Sequence, residues 1–275
     1  MLGSIIGDIV GSRFQFMDFK SKEFKFFEPH CTPTDDSFMT LAIAKALLLC
    51  PNWREDIENL KSTTVKCMKE IATAHPNTGW GEKFYRWLFV RSYPYESYGN
   101  GAGMRVSPVG WVAESEEEVK RLSQAVTEIS HNHPEGLKGA ECVAMAVYLA
   151  RIGKSKAEIK ARLAQAYYPQ LATMTLDEVR PFYCIDDGGD WVTCQGSIPQ
   201  AMTAFFESEN FEDAIRGAIS IGGDSDTIAC MTGAVAEAYY GVDRNLEERA
   251  VEYLSTDLAS IYYAFELIKK KRVNG

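Results

Sequence analysis

Apolar residues in this chain recur with the period of a helix and almost nowhere with the period of a strand. Val119, Leu122, Ala125, Val126 and Ile129 fall at i, i+3, i+6, i+7 and i+10, which is one face of a helix. Comparable patterns cover roughly 3–12, 35–49, 54–73, 80–90, 136–152, 155–167, 197–208, 211–220, 225–240 and 246–270. Pro29, Pro33, Pro51, Pro76, Pro94, Pro134, Pro169 and Pro181 fall between these segments, where a residue without an N–H does least harm. Clear alternating runs are absent, and only Glu23–Phe27 and Tyr183–Cys194 read as short extended pieces. The expectation is an all-α, many-helix globule.

With 275 residues the chain has room for one large domain or two small ones. A chain of this size buries about 70–75% of its unfolded surface, so a disulfide or metal is not needed merely to hold a core. No Ser/Gly/Pro-rich linker, low-complexity tract or repeat divides it, so a single domain over residues 1–275 is expected. The 29 Lys+Arg against 38 Asp+Glu leave a net charge of −9, which argues against nucleic acid or an anionic membrane as a partner. The longest apolar run, Met39 to Cys50, carries Lys45 and is far short of the roughly 20 residues a bilayer span takes. Met1–Gly11 has no basic region and contains Asp8, unlike a signal peptide. The seven cysteines, at 31, 50, 67, 142, 184, 194 and 230, are odd in number, include no CxxC and read as reduced core thiols. A cytoplasmic chain is expected. The basic run Lys269–Arg272 reads as favourable charge at a helix C-terminus. Gly3, Gly7 and Gly11, four apart on the first helix, read as a face that lets another backbone come close.

Two clusters stand out at helix starts. Thr34-Asp35-Asp36 precedes an apolar helix, and Gly222-Gly223-Asp224-Ser225-Asp226-Thr227 precedes another almost 190 residues later. An ordinary N-cap explains one Thr or Asp at each. It does not explain a second carboxylate beside the first, which adds repulsion. The paired glycines point to a backbone with unusual dihedrals or a close approach. Each cluster offers two Asp and a Thr with no His or Cys nearby, an all-oxygen set that suits Mg²⁺ or Mn²⁺ rather than Zn²⁺ or Cu²⁺. If the two helix N-termini converge, four carboxylates could hold two cations about 3.5–4 Å apart.

Ser97-Tyr98-Gly99-Asn100-Gly101-Ala102-Gly103-Met104-Arg105 carries three glycines in five residues. It reads either as a plain surface loop or as one that bares N–H groups to a phosphate. It matches neither a P-loop nor a dinucleotide fingerprint. In Ser130-His131-Asn132-His133-Pro134 the histidines lack zinc-ligand spacing with His30 or His75. A neutral histidine there suits a ribose or phosphate, and Asn132 or a neighbour suits a helix cap.

These pieces together resemble the ADP-ribosylglycohydrolase family, the group that includes dinitrogenase-reductase-activating glycohydrolase. The matching stretches are Gly3-x-x-x-Gly7-Asp8-x-x-Gly11, Thr34-Asp35-Asp36, Gly79-Trp80-Gly81, Ser97-Tyr98-Gly99-Asn100-Gly101, Met104-Arg105-Val106-Ser107-Pro108, His131-Asn132-His133-Pro134, Cys194-Gln195-Gly196-Ser197 and Gly222-Gly223-Asp224-Ser225-Asp226-Thr227. They run in the family's order over about residues 2–241. The resemblance implies a compact orthogonal bundle of that type with a binuclear Mg²⁺ centre, or Mn²⁺, in a cleft. By it Thr34, Asp35, Asp36, Asp224, Asp226 and Thr227 would be metal ligands. Tyr98, Gly99, Asn100 and Gly101, with Gly103 and Met104 in the following turn, would line ADP-ribose, and His131 would contact its distal ribose.

The implied reaction removes ADP-ribose from a protein or small-molecule acceptor by hydrolysis at the distal ribose, reversing mono-ADP-ribosylation. Asp35 or Asp36 would accept the proton of water. Gln15 stands where the family usually carries a Glu that contributes to the metal site and is a candidate base. Gln keeps the size and a carbonyl oxygen but cannot take a proton near pH 7. The alternative is therefore a family member that holds ADP-ribose, or only packs, with weakened turnover. A third reading, an all-α isoprenoid synthase, lacks the third acid of a DDxxD run at Asp35-Asp36-Ser37-Phe38-Met39.

Overall fold

The computed structural model describes residues 1–183 and 190–273. In chain order the α-helices are α1 (Leu2–Gly11), α2 (Asp35–Leu49), α3 (Ile57–Ala74), α4 (Glu82–Phe89), α5 (Gly101–Met104), α6 (Ser107–Val112), α7 (Glu116–Thr127), α8 (Pro134–Arg151), α9 (Lys156–Ala166), α10 (Leu176–Phe182), α11 (Cys194–Phe206), α12 (Phe211–Ile219), α13 (Ser225–Tyr240), α14 (Arg244–Val251) and α15 (Thr256–Val273). Among the described residues there is no strand, only isolated bridges at Met17–Gly223 and Gly99–Thr193. The all-α expectation holds. The extended reading of Glu23–Phe27 does not: that stretch is irregular, with Arg216 Nη1 donating to the carbonyls of Lys22 (2.9 Å) and Phe24 (2.7 Å) in place of a ladder. Of Tyr183–Cys194, residues 184–189 lie outside the described residues, and Asp190–Val192 form a 3₁₀ turn.

Two helices make the centre. Every residue of α1 is buried, and so is α13 from Ser225 to Glu237. They run antiparallel in direct contact because the glycine face of α1 removes the side chains that would hold them apart. A Cβ on Gly3 would stand 2.0 Å from the Gly233 carbonyl oxygen, and one on Gly7 2.1 Å from that of Ala229. At Gly11 the neighbour is Asp226 itself, whose Cα would lie 2.5 Å away. The glycine spacing thus serves packing, as expected, and the packing delivers Asp226 to the end of α1.

Local chemistry sets the helix starts. Ser155–Glu158 and Thr175–Glu178 form capping boxes, and Ser115, Asn210 and Thr193 cap α7, α12 and α11. The expected helix over 246–270 is two helices, because Glu252–Ser255 turn between α14 and α15. Pro134 is the first residue of α8, a position that needs no N–H, and Pro181 lies in α10, rather than between helices. Six cysteines are free and buried, while Cys184 lies outside the described residues. Among the described residues, no helix is long and apolar enough to cross a membrane. The phenylalanines of 14–27 divide: Phe14 and Phe27 are buried, Phe19, Phe24 and Phe26 pack against the core, and Phe16 is 53% exposed.

Candidate active site

The N-termini of α2 and α13 meet. Thr227 Oγ1 donates to Asp36 Oδ2 at 3.1 Å across 191 residues of sequence. Thr34 is an ordinary cap of α2, its hydroxyl accepting the Asp36 N–H at 3.5 Å. That leaves Asp35 and Asp36 uncommitted to capping. At α13 the capping reading fails. Asp224 occupies the N-cap position without a side-chain capping bond, and its Oδ2 instead accepts Asn100 Nδ2 at 2.6 Å. Gly222 and Gly223 have φ of +85° and +70°, a left-handed pair that turns the chain into this end.

A carboxylate absent from the expected ligand set joins them. Asp8 Oδ2 accepts the N–H groups of Thr34 (2.9 Å) and Ser37 (3.0 Å), and its Oδ1 accepts the Thr34 hydroxyl at 2.6 Å. Asp8 therefore ties α1 to the start of α2. Carboxylate oxygens of Asp8, Asp36 and Asp226 all lie within 4.8 Å of one another, and all three residues are buried. The sequence carried a signal for it: a lone acid inside the apolar helix Ile5-Ile6-Gly7-Asp8-Ile9-Val10 needs a partner.

Burial pushes the carboxyls of Asp8, Asp35, Asp36, Asp224 and Asp226 above their usual range. Mutual repulsion adds to this for Asp35, Asp36 and Asp226. Asp8 reaches about 6 and Asp35 about 8. Asp36 Oδ1 and Asp226 Oδ2 are buried with no hydrogen-bond partner. Leaving such atoms bare is costly, and two orphaned carboxylate oxygens in a hydroxyl-and-carboxylate cluster fit a hard divalent cation.

Above this floor opens a cleft of about 520 Å³. Gln15, Asp35, Asp224 and Thr227 line its acidic end, and Tyr98, Gly99, Asn100, Gly101, Met104 and His131 line its wall. Asp36 lies beneath, 1% exposed. Gly103 faces away: a Cβ there would meet Ile198 and Met231 at 3.0 Å. The Tyr98–Asn100 strip is pinned by Cys194 N–H to the Tyr98 carbonyl and Asn100 N–H to the Val192 carbonyl, both 2.9 Å.

His131 is 4% exposed, and burial, then the neighbouring Arg105, hold its imidazole well below the usual range. Arg105 Nη2 lies 3.3 Å from His131 Nδ1 and 2.7 Å from Ser130 Oγ. A guanidinium only donates, so Nδ1 accepts and the ring proton sits on Nε2, which faces Gly101. Arg105 is fully buried, and its Nε and Nη1 have no partner. The Phe84 ring lies 5.4 Å from its guanidinium carbon, and Asp35 is a carboxylate whose charge it feels across the cleft. His133, not Asn132, caps α8, its Nδ1 accepting the Glu135 N–H at 3.1 Å.

The model of the family described as ADP-ribosylglycohydrolase matches residues 1–272. The chain belongs to this family. It is 28% identical over 204 residues to the human protein named ADP-ribosylhydrolase ARH3, a match covering 59% of this chain and 56% of that one. It is 25% identical over 270 residues to the ADP-ribosylarginine hydrolase Tri1 of Pseudomonas putida, covering 88% and 70%. The chain spans about half the length of the first mammalian relatives it matches. A solved structure of an ADP-ribosylglycohydrolase-related protein complex superposes with a TM-score of 0.66 at 21% identity, over 98% of this chain and 95% of that one. The fold is thus of the ADP-ribosylglycohydrolase type. Within this family member, Gln15 lies at the cleft's acidic end, where it favours the ionised form of Asp224.

Proposed function

We propose that this family member removes ADP-ribose from a modified protein or small-molecule acceptor by hydrolysing the glycosidic bond at the distal ribose. The observation that carries the reading is the junction of Thr227 and Asp36 beneath a cleft walled by Tyr98–Gly101. The names of the relatives support it. Thr34, Asp35, Asp36, Asp224, Asp226 and Thr227, with Asp8 added, would hold divalent cations, two Mg²⁺ by family resemblance, with Mn²⁺ of like chemistry. Bound there, the cations would lower the pKa of water, polarise ribose hydroxyls and neutralise the clustered acids.

The chain's own groups then divide the work. Asp35 lines the cleft, so the proton of the attacking water falls to it rather than to the covered Asp36. As water bonds to the anomeric carbon, the bond to the acceptor breaks, the acceptor leaves with the bonding pair and takes up the proton that Asp35 received, and the remaining carboxylates stabilise the positive charge that develops. His131 Nε2–H donates to the ribose or phosphate beside Gly101. Asn100, by gripping Asp224, links the loop to the acidic floor. Arg105, which lines the cleft and has two N–H groups without a partner, attracts the phosphates. The same reading takes residues 1–275 as one domain, supported by the family match over 1–272. It places the chain in a reducing compartment such as the cytoplasm, supported by the free buried cysteines.

Gln15 favours a second reading, a binder of ADP-ribose with weakened turnover. ADP-ribose release from mono-ADP-ribosyl-arginine with Mg²⁺, run for the parent and Gln15→Glu, separates the two. Release by the parent supports the hydrolase. Release by Gln15→Glu alone supports the binder. Silence from both, with no ADP-ribose binding, overturns the two together.

A further inference from the structure

Phe16 is placed as few phenylalanines are. It is 53% exposed, and its backbone is left-handed (φ 60°), an outlier for a side chain of that bulk. Such a conformation persists only where the surroundings over-determine it, and it gathers at functional sites. Here the surroundings are the turn that leads into Asp224. The Phe16 N–H donates to the Gly223 carbonyl at 2.8 Å, and the Gly223 N–H donates to the Met17 carbonyl at 3.1 Å. Phe16 is therefore fixed between Gln15, which precedes it, and Asp224, which follows its partner Gly223. All three line the cleft, so the Phe16 ring stands at the acidic end.

A second ring backs the first. Phe16 meets Trp191 edge-on, with centroids 5.5 Å apart and planes at 62°. Trp191 is itself anchored, its carbonyl accepting the Tyr183 hydroxyl at 3.1 Å. The next residue, Val192, lines the cleft and is 39% exposed. Phe16 and Val192 offer ring face and hydrocarbon to whatever lies there, and no hydrogen-bonding side chain. Asp35 and Asp224 line the same end. On the hydrolase reading the scissile bond lies over Asp35, so the acceptor leaves from this end, beside Phe16. A guanidinium suits such surroundings. It is planar, stacks on aromatic faces, is more weakly hydrated than an ammonium and carries the charge that ring and carboxylates attract. A hydroxyl-linked acceptor brings no charge to the ring and finds no hydrogen-bond partner on Phe16 or Val192.

We propose that Phe16 sets the acceptor preference, its ring face taking the guanidinium of a modified arginine ahead of a neutral acceptor such as serine. This rests on the ADP-ribose reading above. Trp191 acts through Phe16, holding the ring in place by its edge contact.

The test compares an ADP-ribosyl-arginine peptide with an ADP-ribosyl-serine peptide of the same flanking sequence, with Mg²⁺, for the parent, Phe16→Leu and Phe16→Tyr. The readout is kcat/KM, or the dissociation constant from calorimetric titration where neither peptide is cleaved. The parent should favour the arginine peptide. Phe16→Leu, apolar and like Phe unbranched at Cβ, should weaken that peptide roughly threefold to thirtyfold, as loss of a cation over an aromatic face predicts, and leave the serine peptide unchanged. Phe16→Tyr keeps the ring and should keep the ratio. A parent that favours serine, a ratio that Phe16→Leu leaves unmoved, or a Phe16→Tyr that falls as far as Phe16→Leu overturns the assignment and leaves the ADP-ribose reading standing. Neither cleavage nor binding of either peptide by the parent overturns both.

Discussion

The paired helices α1 and α13 bury charge at both ends, and the two ends differ in sign balance. At the far end, Glu237 of α13, 4% exposed, is met by the Met1 amino group and by Lys269, which also reaches Glu266 at 3.1 Å. Burial pushes Glu237 up, but Lys269 and the Met1 ammonium outweigh it and carry the carboxyl down to about 2. At the cleft end, Asp8, Asp36 and Asp226 share a buried cluster with carboxyls pushed up, and two of their oxygens have no partner. The first arrangement is complete within the protein and holds the fold together. The second is incomplete, and its missing counter-charge is what a cation supplies. Buried acid by itself says little about function; whether the protein neutralises it says more.

The sharpest way to break this contrast is Asp226→Asn. On the cation reading it should lower ADP-ribose release on the order of a thousandfold and abolish metal loading, measured by metal analysis after desalting. Unchanged stoichiometry and rate would sink the layout. At the other end, Glu237→Gln should cost about 3 kcal/mol by taking the carboxylate from the buried Met1 ammonium and leaving Lys269 with Glu266 alone, read from chemical denaturation. A loss below about 1 kcal/mol would mean the far end is not the structural cluster described. Gly7→Ala, whose Cβ would meet the Ala229 carbonyl oxygen at 2.1 Å, should cost about 3 kcal/mol and weaken metal binding by moving Asp8 relative to Asp226.

The pH dependence follows from the raised carboxyls. Asp8 at about 6 and Asp35 at about 8, against a usual 3.8, keep protons in the folded chain that the unfolded chain has released. Stability of the metal-free protein should therefore be greatest below about pH 4 as far as these groups act, and fall as pH rises toward about 8. The slope is at most about 1.4 kcal/mol per pH unit for each proton. Saturating Mg²⁺ should flatten it, and melting curves at several pH values with EDTA or Mg²⁺ check this. The smallest effect expected is a rise of a few degrees in the melting temperature of metal-free Asp226→Asn, from relief of repulsion. A fall would show that Asp226 is paired within the protein.

Much of this was legible beforehand, for local reasons. Thr34-Asp35-Asp36 and Gly222–Thr227 announced helix starts with more acid than a cap uses, and the glycines of α1 announced close packing. Other features left signals that periodicity alone passes over. The Thr175–Glu178 capping box marks α10, and Ser255-Thr256-Asp257 marks the start of α15 inside what looked like one helix. The family resemblance put Gly103 in the turn that lines the ligand, yet in the helical turn of α5 a Cβ at Gly103 would point to Ile198 and Met231. The left-handed backbone of Glu96 (φ 52°) left no trace, and the side chain that bonds both its N–H and its carboxylate, Asn132, is 36 residues away.

Residue types, the helical period and the acids at two helix starts are properties of neighbours within a few positions, and they were enough to name the fold class and the chemistry of the donors. Which oxygens end up bare, why Asp8 joins the cluster, which nitrogen of His131 carries the proton and what holds Glu96 depend on groups brought together from 26 to 191 residues apart. Desolvation and hydrogen-bond satisfaction act only at contact distance, so nothing short of the packed chain could settle them.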